Sequence, residues 1–343
     1  MFYQCPKCKK IWQYPIEKCP DCFELLERMA SLEIKVSAVS KISVPSLAHP
    51  KIPYFTMVLE DESGNKWAQK SFKEYQAGEK FSYAVSKYPN AVAIWRIKYD
   101  LTETIEKLID LLGGLDIKSE TKILILPTLN SPKHPYFGEN ITPEFLEQTI
   151  QYLISRGAKK ENIQVVGQSF NDFAIEACVQ KSGLLNVCLK YNIVPLNLAK
   201  NAFAKKGDLE ISESIFSTDL AINLAALKVG QACASENLFK ILKKENYLGL
   251  KYLYGQKEIF KKMEAALPKI LTIAEADRVQ TPEKFISFLG LALAGYSSLN
   301  IDAVFNQLRP AKALPEILSD VKIGEVPIAG RAIDEAQFDN KNI

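Results

Sequence analysis

The sequence CPKCKKIWQYPIEKCPDC, residues 5–22, decides how the start of this chain folds. It contains two Cys-x-x-Cys pairs separated by ten residues, and its cysteines are Cys5, Cys8, Cys19 and Cys22. Two such pairs can direct four thiolates at the corners of a tetrahedron around one metal ion. Sulfur ligands suit zinc, with iron as the alternative, and a segment this short needs the ion in order to fold. We therefore predict a structural metal site with no open coordination position, while a pair of disulfides is the competing interpretation.

The composition is that of a folded protein with more than one domain. The chain has 343 residues, of which 47% are hydrophobic, and its 43 basic and 40 acidic residues give a net charge of +3. This even balance does not indicate nucleic acid or an anionic membrane as a partner. No apolar run is long enough to cross a bilayer and the first residues lack a signal-peptide core, so we expect a cytoplasmic protein. The remaining cysteines, Cys178, Cys188 and Cys233, are predicted to be core thiols.

Residues 31–100 show the period-two alternation that is typical of β-strands. The strand-like stretches are LEIKVSAVSKISV, PYFTMVLEDE, KWAQKSF, EKFSYAV and AVAIWRIKYD, and they follow a short predicted helix around FELLERMA. Turn sequences such as Ser63-Gly64-Asn65 and Ala77-Gly78 separate them. Five short strands behind a metal site predict a small closed barrel of the OB type. Residues 1–30 are then a zinc ribbon that precedes the barrel.

Residues 101–343 alternate between helical and strand patterns. The helical pattern TETIEKLIDLL ends at Gly113-Gly114, a natural helix stop. Near-continuous apolar strands lie at 122–127, 163–167, 221–225 and 270–274. This alternation predicts an α/β domain with a mainly parallel sheet. Because each side of residue 100 has its own supply of apolar residues, we expect the fragment 101–343 to fold by itself.

Several residues outside the cysteines carry a resemblance to a known family. They are Tyr14-Pro15 shortly before CPDC, Pro53-Tyr54 at the start of a strand, and the turn Ala77-Gly78-Glu79-Lys80. With the two cysteine pairs, these stretches resemble the DUF35 family. The resemblance implies a rubredoxin-like zinc ribbon joined to an OB barrel and an association with acyl-coenzyme A. Where that family usually has glycine after each pair, this chain has Lys9 and Phe23.

A second resemblance covers residues from about 120 to 335. Its matching stretches are Leu126-Pro127-Thr128-Leu129, Thr142-Pro143-Glu144, Arg156-Gly157-Ala158, Gly167-Gln168-Ser169, Leu227-Lys228, Asn237-Leu238-Phe239, Asp277 and Asn300-Ile301-Asp302-Ala303-Val304. In order and spacing they are similar to the DUF362 family, which implies an α/β domain of unsettled activity that sometimes occurs beside iron–sulfur modules. That family has basic or polar residues where this chain has Leu126, Val229-Gly230 and Glu236. The resemblance therefore implies a diverged domain with weakened chemistry.

Polar residues that follow the predicted strands form the candidate ligand site. Ligands of open parallel sheets bind in the crevice beyond the C-terminal ends of the strands. The residues expected there are Thr128, Asn130, Ser169, Lys228 and Asp277, and the second resemblance adds Asn237. Lys228 would clamp a phosphate or a carboxylate, and Asp277 would act as an acid or a base. The same side chains are also explained as caps of loops and helices.

Three other polar residues receive structural interpretations. Asp302 is predicted to cap the helix IDAVFNQLR at its start, with contact to a ligand as the alternative. His49 and His134 both precede prolines, which is typical of extended surface loops rather than of a catalytic base. The sequence contains no GxSxG elbow, phosphate-binding glycine loop or dinucleotide fingerprint.

These observations support three hypotheses of function. The first is a metal-binding ligand carrier or scaffold, in which the zinc ribbon and barrel hold an acyl-coenzyme A-like ligand or a partner enzyme. The second is an enzyme that acts on a small anionic substrate in the α/β crevice. The third is binding of single-stranded nucleic acid, in which barrel aromatics such as Trp67 and Trp95 would stack on bases. The modest charge of the barrel makes nucleic acid the weakest of the three.

Overall fold

The computed structural model describes residues 3–12, 18–28, 31–45, 52–62, 64–71, 74–84, 90–97, 101–171, 173–331 and 333–336. His49 and Tyr14-Pro15 of the first resemblance lie outside the described residues. The chain forms two compact units, Met1–Ser86 and Lys87–Ile343. No helix in the described part of the chain is both long and apolar enough to span a membrane.

The first unit begins with a small sheet around the cysteines. Its strands are β1 (Tyr3–Gln4), β2 (Ile11–Trp12) and β3 (Glu27–Arg28), in the order β2-β1-β3. The pairs β1–β2 and β1–β3 are both antiparallel. The helix predicted around FELLERMA is therefore wrong, because β3 occupies its second half. Pairing with β1 satisfies this backbone and outweighs the helix propensity of the Glu-Leu-Leu-Glu sequence, as tertiary context often does.

A four-stranded antiparallel sheet completes the first unit. Its strands are β4 (Ser31–Ile42), β5 (Tyr54–Asp61), β6 (Lys66–Ser71) and β7 (Lys80–Ala84), in the order β6-β5-β4-β7. Along β5, buried residues alternate with partly buried ones, as expected of a sheet with one covered face. The shared apolar cluster contains Ile11 of β2 together with Ile34, Val36, Met57 and Leu59. The cysteine sheet and the larger sheet therefore form one small core.

The second unit is built on an eight-stranded mixed sheet. Its sheet strands are β8 (Val92–Arg96), β9 (Ile123–Pro127), β10 (Ile163–Gly167), β11 (Leu196–Asn197), β14 (Leu220–Lys228), β15 (Ile270–Gln280), β16 (Ile286–Gly295) and β17 (Ile328–Gly330). A separate hairpin consists of β12 (Phe203–Lys206) and β13 (Leu209–Ser212). The sheet order is β11-β10-β9-β14-β15-β16-β8-β17. Only the two pairings of β16 are antiparallel, so the prediction of a mainly parallel sheet is confirmed.

Helices cover both faces of this sheet. They are α1 (Leu101–Leu111), α2 (Pro143–Ser155), α3 (Ile175–Lys181), α4 (Leu184–Lys190), α5 (Cys233–Leu238), α6 (Lys244–Ala266), α7 (Ser298–Leu308) and α8 (Ile333–Ala336). Helices α1 to α4 contribute to the apolar cluster on one face, and α5, α6 and α7 contribute to the clusters on the other. The start of α2 is as predicted, because the Thr142 hydroxyl accepts a hydrogen bond from Phe145 N at 3.3 Å and Pro143 occupies the first helical position.

Strand β8 corrects the predicted barrel. The sequence AVAIWRIKYD was assigned to the barrel as its fifth strand, but β8 pairs with β16 and β17 of the second unit. Ala91, which precedes β8, and the strand residues Val92, Ala93 and Ile94 are all at most 2% exposed. A run that is buried on both faces belongs in the interior of a covered sheet, whereas a barrel strand alternates. The two units accordingly divide between residues 86 and 87, ahead of the predicted position near residue 100.

Candidate functional site

The four N-terminal cysteines converge on one point. Their sulfur atoms all lie within 4.8 Å of one another. The Sγ atoms of Cys5 and Cys22 are 3.2 Å apart, and those of Cys8 and Cys19 are 3.6 Å apart. Metal–sulfur bonds of ~2.3 Å in a tetrahedron give sulfur–sulfur edges of ~3.8 Å, so this spacing fits a single ion. All four cysteines are free, and the distances exceed the ~2.05 Å of a disulfide, which removes the competing interpretation.

The two cysteine loops have the same backbone geometry. Lys9 N donates to Cys5 O and Phe23 N donates to Cys19 O, both at 2.9 Å. Lys9 and Phe23 both have a φ of 60°. This left-handed conformation costs a residue with a side chain ~1–2 kcal/mol, and only glycine adopts it freely. The positions at which the family resemblance expects glycine are therefore the positions at which the backbone requires a left-handed turn.

We expect Lys9→Gly and Phe23→Gly each to stabilise the metal-loaded protein by about 0.5–1 kcal/mol. Relief of the left-handed conformation outweighs the greater freedom that glycine gives the unfolded chain. Chemical denaturation of the metal-loaded protein measures the effect. Lys7→Gly is the matched control, because Lys7 lies in the same loop as Lys9 without a positive φ, and it should destabilise. A loss of stability in all three variants would contradict the argument.

The positive charge of a nearby lysine favours a metal ion with four thiolate ligands, because that group has a net negative charge. The ammonium of Lys10 donates to the Asp21 carboxylate at 2.6 Å. This bond and the nearby sulfurs of Cys8 and Cys19 raise the pKa of Lys10, so its positive charge is kept. A zinc ion with four thiolates has a net charge of −2, which a neighbouring ammonium offsets in part.

The other three cysteines are core residues, as predicted. Cys178 and Cys188 are 0% exposed and Cys233 is 8% exposed. Burial raises the pKa of the Cys188 thiol to about 11 and also raises that of Cys233. Neutral thiols in an apolar setting are poor nucleophiles, so these residues pack rather than react.

At the C-terminal end of β9, Thr128 and Asn130 tie the sheet to the following loop. The Thr128 hydroxyl accepts a hydrogen bond from Ala226 N at 3.1 Å, which links β9 to β14. Asn130 N donates to Asn140 Oδ1 at 2.8 Å, and the Asn130 amide donates to Glu139 O at 3.0 Å. Thr128 is buried and therefore supports the edge, whereas Asn130 is only partly buried.

Lys228 ends β14 at the same edge of the sheet. It is 9% exposed, and its ammonium has no hydrogen bond or ion pair with any residue that the structure describes. A buried ammonium normally has a partner, because removing it from water is costly. The role predicted for Lys228 as the contact for an anion stays a prediction.

A second buried lysine, Lys240, was not predicted from the sequence. Lys240 is 7% exposed, and its ammonium donates to Leu129 O at 3.0 Å and to Asn130 Oδ1 at 2.7 Å. Burial and the charge of Lys228 lower the pKa of Lys240 to about 7. The sequence ENLFK around it has the composition of an ordinary solvated helix, so no local signal marked this lysine.

Asn237 is placed in the interior rather than in the crevice. Its amide donates to Leu126 O at 3.0 Å and to Asn223 Oδ1 at 2.8 Å, which fastens α5 to β9 and β14. Its Oδ1 is buried without a hydrogen-bond partner among the described residues. The contacts that Asn237 makes are structural.

Ser169 and Asp277 do not bond to Lys228. The Ser169 hydroxyl donates to Asn171 O at 3.2 Å within its own loop. Asp277 lies at an irregularity of β15, with its carboxylate 3.7 Å from Arg278 Nε, and burial raises its pKa against the charge of Arg278. Burial raises the pKa of the neighbouring Glu275 to about 7, with a smaller contribution from the charge of Asp277, although Glu275 accepts hydrogen bonds from Thr142.

Asp302 corrects the prediction that it caps its own helix. Helix α7 begins at Ser298 with Ser297 as its cap, so Asp302 lies one turn inside it. Its carboxylate instead accepts from Ala234 N at 2.9 Å and Ser235 N at 2.8 Å, at the start of α5. Burial raises the pKa of Asp302 to about 7. His134 behaves as a loop residue, because its Nδ1 accepts from Tyr136 N at 3.2 Å.

Two cavities of the second unit lie away from these residues. One of about 520 Å³ is lined by residues that include Lys257, Asn300 and Asp320. Another of about 600 Å³ lies beside the hairpin of β12 and β13 and is lined by residues that include Lys206 and Phe216. The lysines of the first cavity are paired, since Lys257 Nζ is 2.6 Å from Asp320 Oδ1. Neither cavity offers an unpaired buried charge.

Comparison with known proteins adds no assignment. No protein-family model matches the chain, and no curated protein matches it. The function is therefore argued from two places in the molecule, the cysteine cluster of the first unit and the strand-end lysines of the second.

Proposed function

We propose that this protein is a zinc-binding ligand carrier or scaffold, whose first unit is a zinc ribbon followed by a β-module of the OB type. The observation that carries the proposal is the convergence of Cys5, Cys8, Cys19 and Cys22 within 4.8 Å. Four protein ligands leave no position for water or substrate, so the metal would serve the fold and not a reaction. The first unit then acts by binding.

Zinc is favoured over iron on the chemistry of the protein around the site. Both ions accept four thiolates in a tetrahedron, but a redox role for iron needs a route for electrons. The cysteine cluster lies in a small unit whose apolar cluster includes Ile11, Val36 and Leu59, which offer no redox-active group. A redox-inert ion that supplies folding energy is sufficient there.

The ligand proposed for the first unit is acyl-coenzyme A or a similar molecule, with a partner enzyme as the recipient of that ligand. The DUF35 resemblance supports this, together with the core that the cysteine sheet shares with the four-stranded sheet. Elemental analysis and native mass spectrometry of the purified protein test the metal, for which we expect one zinc per chain. Calorimetric titration with coenzyme A and acyl-coenzyme A tests the ligand. Absence of stoichiometric zinc or iron would refute the metal site.

A second candidate function is supported by Lys228. Its ammonium is nine-tenths buried and has no partner among the described residues, at the edge where open parallel sheets bind ligands. The sequence of the second unit resembles a diverged DUF362 domain. This unit would accordingly hold a small anion with Lys228 as the principal contact. Whether that ligand is also transformed decides between a binding domain and an enzyme.

A further inference from the structure

Three charged residues surround the C-terminal edge of β14, and we call them the strand-end cluster: Lys228, Glu236 and Lys240. Lys228 is the last residue of β14. Glu236 lies in α5, and Lys240 lies in the single helical turn Phe239–Ile241 that follows it. Residues four apart in a helical segment lie on the same side, so Glu236 and Lys240 are neighbours. Only Lys228 belonged to the set of residues that the sequence predicted.

Two members of the strand-end cluster have no partner. Neither the Lys228 ammonium nor the Glu236 carboxylate makes a hydrogen bond or ion pair with the residues described here. Lys240 differs, because its ammonium donates hydrogen bonds to Leu129 O and Asn130 Oδ1, which uses two of its three protons. The Lys228 ammonium is nine-tenths buried and Glu236 is partly exposed, and because neither bonds to the other, each can contact a third group.

The charges of the strand-end cluster nevertheless act on one another. Burial raises the pKa of Glu236, while the charges of neighbouring lysines, Lys228 among them, lower it. The charge of Lys228 also lowers the pKa of Lys240. The elements that carry Lys228 and Glu236 are also in contact, since the Asn223 amide of β14 donates a hydrogen bond to Ala234 O of α5 at 2.8 Å.

We propose that the strand-end cluster binds a small molecule that carries an anionic group and, a few bonds away, an amine or hydroxyl. Lys228 contacts the anion, the remaining proton of Lys240 supports it, and Glu236 accepts a hydrogen bond from the amine or hydroxyl. This inference rests on the second candidate function and makes it more specific. An anion without a donor is disfavoured, because it would approach the Glu236 carboxylate with like charge.

Matched pairs of probes test this inference on the full-length, metal-loaded protein. Phosphoethanolamine and ethyl phosphate differ only in the amine, and β-alanine and propionate make the same comparison for a carboxylate. Calorimetric titration should show that the probe with the amine binds at least about tenfold more tightly, as expected for a charge-assisted hydrogen bond. Glu236→Gln should remove that preference without weakening the binding of ethyl phosphate or propionate.

Lys228→Met should weaken the binding of every probe by about tenfold or more. Lys160→Met, at an exposed lysine of the same unit, should leave the affinity for each probe unchanged. Because the substitution removes a buried charge without a partner, the thermal midpoint of Lys228→Met should stay equal or rise. A large fall in that midpoint would show that Lys228 has a structural role and would overturn the inference.

The remaining outcomes separate this inference from the functions on which it depends. If both probes of a pair bind with equal affinity and Glu236→Gln changes neither affinity, Glu236 does not contact the ligand. The anion site at Lys228 would remain supported in that case. If no probe binds the wild-type protein, the strand-end ligand site fails together with this inference. The zinc function is unaffected in either case, because metal content measures it separately.

Discussion

Replacing Cys5 and Cys19 with serine is expected to release the metal and unfold the described residues 3–12 and 18–28. The two cysteines are 0% exposed, and structural zinc contributes on the order of 10–16 kcal/mol of apparent binding energy to such sites. Little apolar packing holds this segment. Among its described residues, Ile11 alone belongs to the apolar cluster of the first unit. Zinc content should fall from one equivalent to none.

Limited digestion with trypsin gives a structural readout of the same change. Lys7, Lys9, Lys10 and Lys18 lie in or beside the cysteine loops and should be protected in the metal-loaded protein but cut rapidly in the double variant. Cys178→Ala is the control, since it removes a buried thiol of the second unit and should leave zinc content unchanged. If the double variant retains both zinc and protection, the ligands of the metal have been assigned wrongly.

The second large effect concerns where the second unit begins. We expect the fragment 87–343 to fold cooperatively and the fragment 101–343 to be insoluble or to melt without a sharp transition. The shorter fragment lacks β8, whose Val92 and Ile94 are fully buried and are each worth ~1.5–3 kcal/mol. It also exposes the edge of β16 and leaves β17 without its partner.

Circular dichroism during thermal unfolding distinguishes the two fragments. In the longer fragment, the substitution Ile94→Ala should lower the free energy of unfolding by about 2–5 kcal/mol, as large-to-small core substitutions do. Lys118→Ala, at an exposed loop position, should lose almost nothing. Equal stability of the fragments 87–343 and 101–343 would show that β8 is dispensable and that residue 100 is the better boundary.

What the sequence allowed us to predict was local. The cysteine site follows from ligands within 18 residues of one another, and the buried parallel strands follow from runs such as KILILP. The errors have long-range causes. Strand β8 has the composition of a barrel strand, and only its pairing with β16, almost 200 residues later, shows which sheet it joins.

The candidate site of the second unit was predictable only in part for the same reason. Lys228 follows an apolar strand, so its place at the edge of the sheet could be anticipated. Glu236 and Lys240 occupy a polar helical stretch that resembles a surface. The burial of Lys240 depends on contacts with Leu129 and Asn130 far away in the chain, and Glu236 is partly buried. Burial of a charge is a property of the fold that the local sequence does not report.

The position of β8 has a consequence for the protein during its synthesis. Residues 92–96 are among the first of the second unit to leave the ribosome, yet their partners are Ile286–Gly295 and Ile328–Gly330. The apolar run AVAI therefore stays unpaired until these two partner strands have been synthesised. Such late, long-range pairing slows folding and leaves a strand open to wrong partners. A growing chain of this protein is thus open to aggregation throughout the synthesis of the residues between β8 and β16.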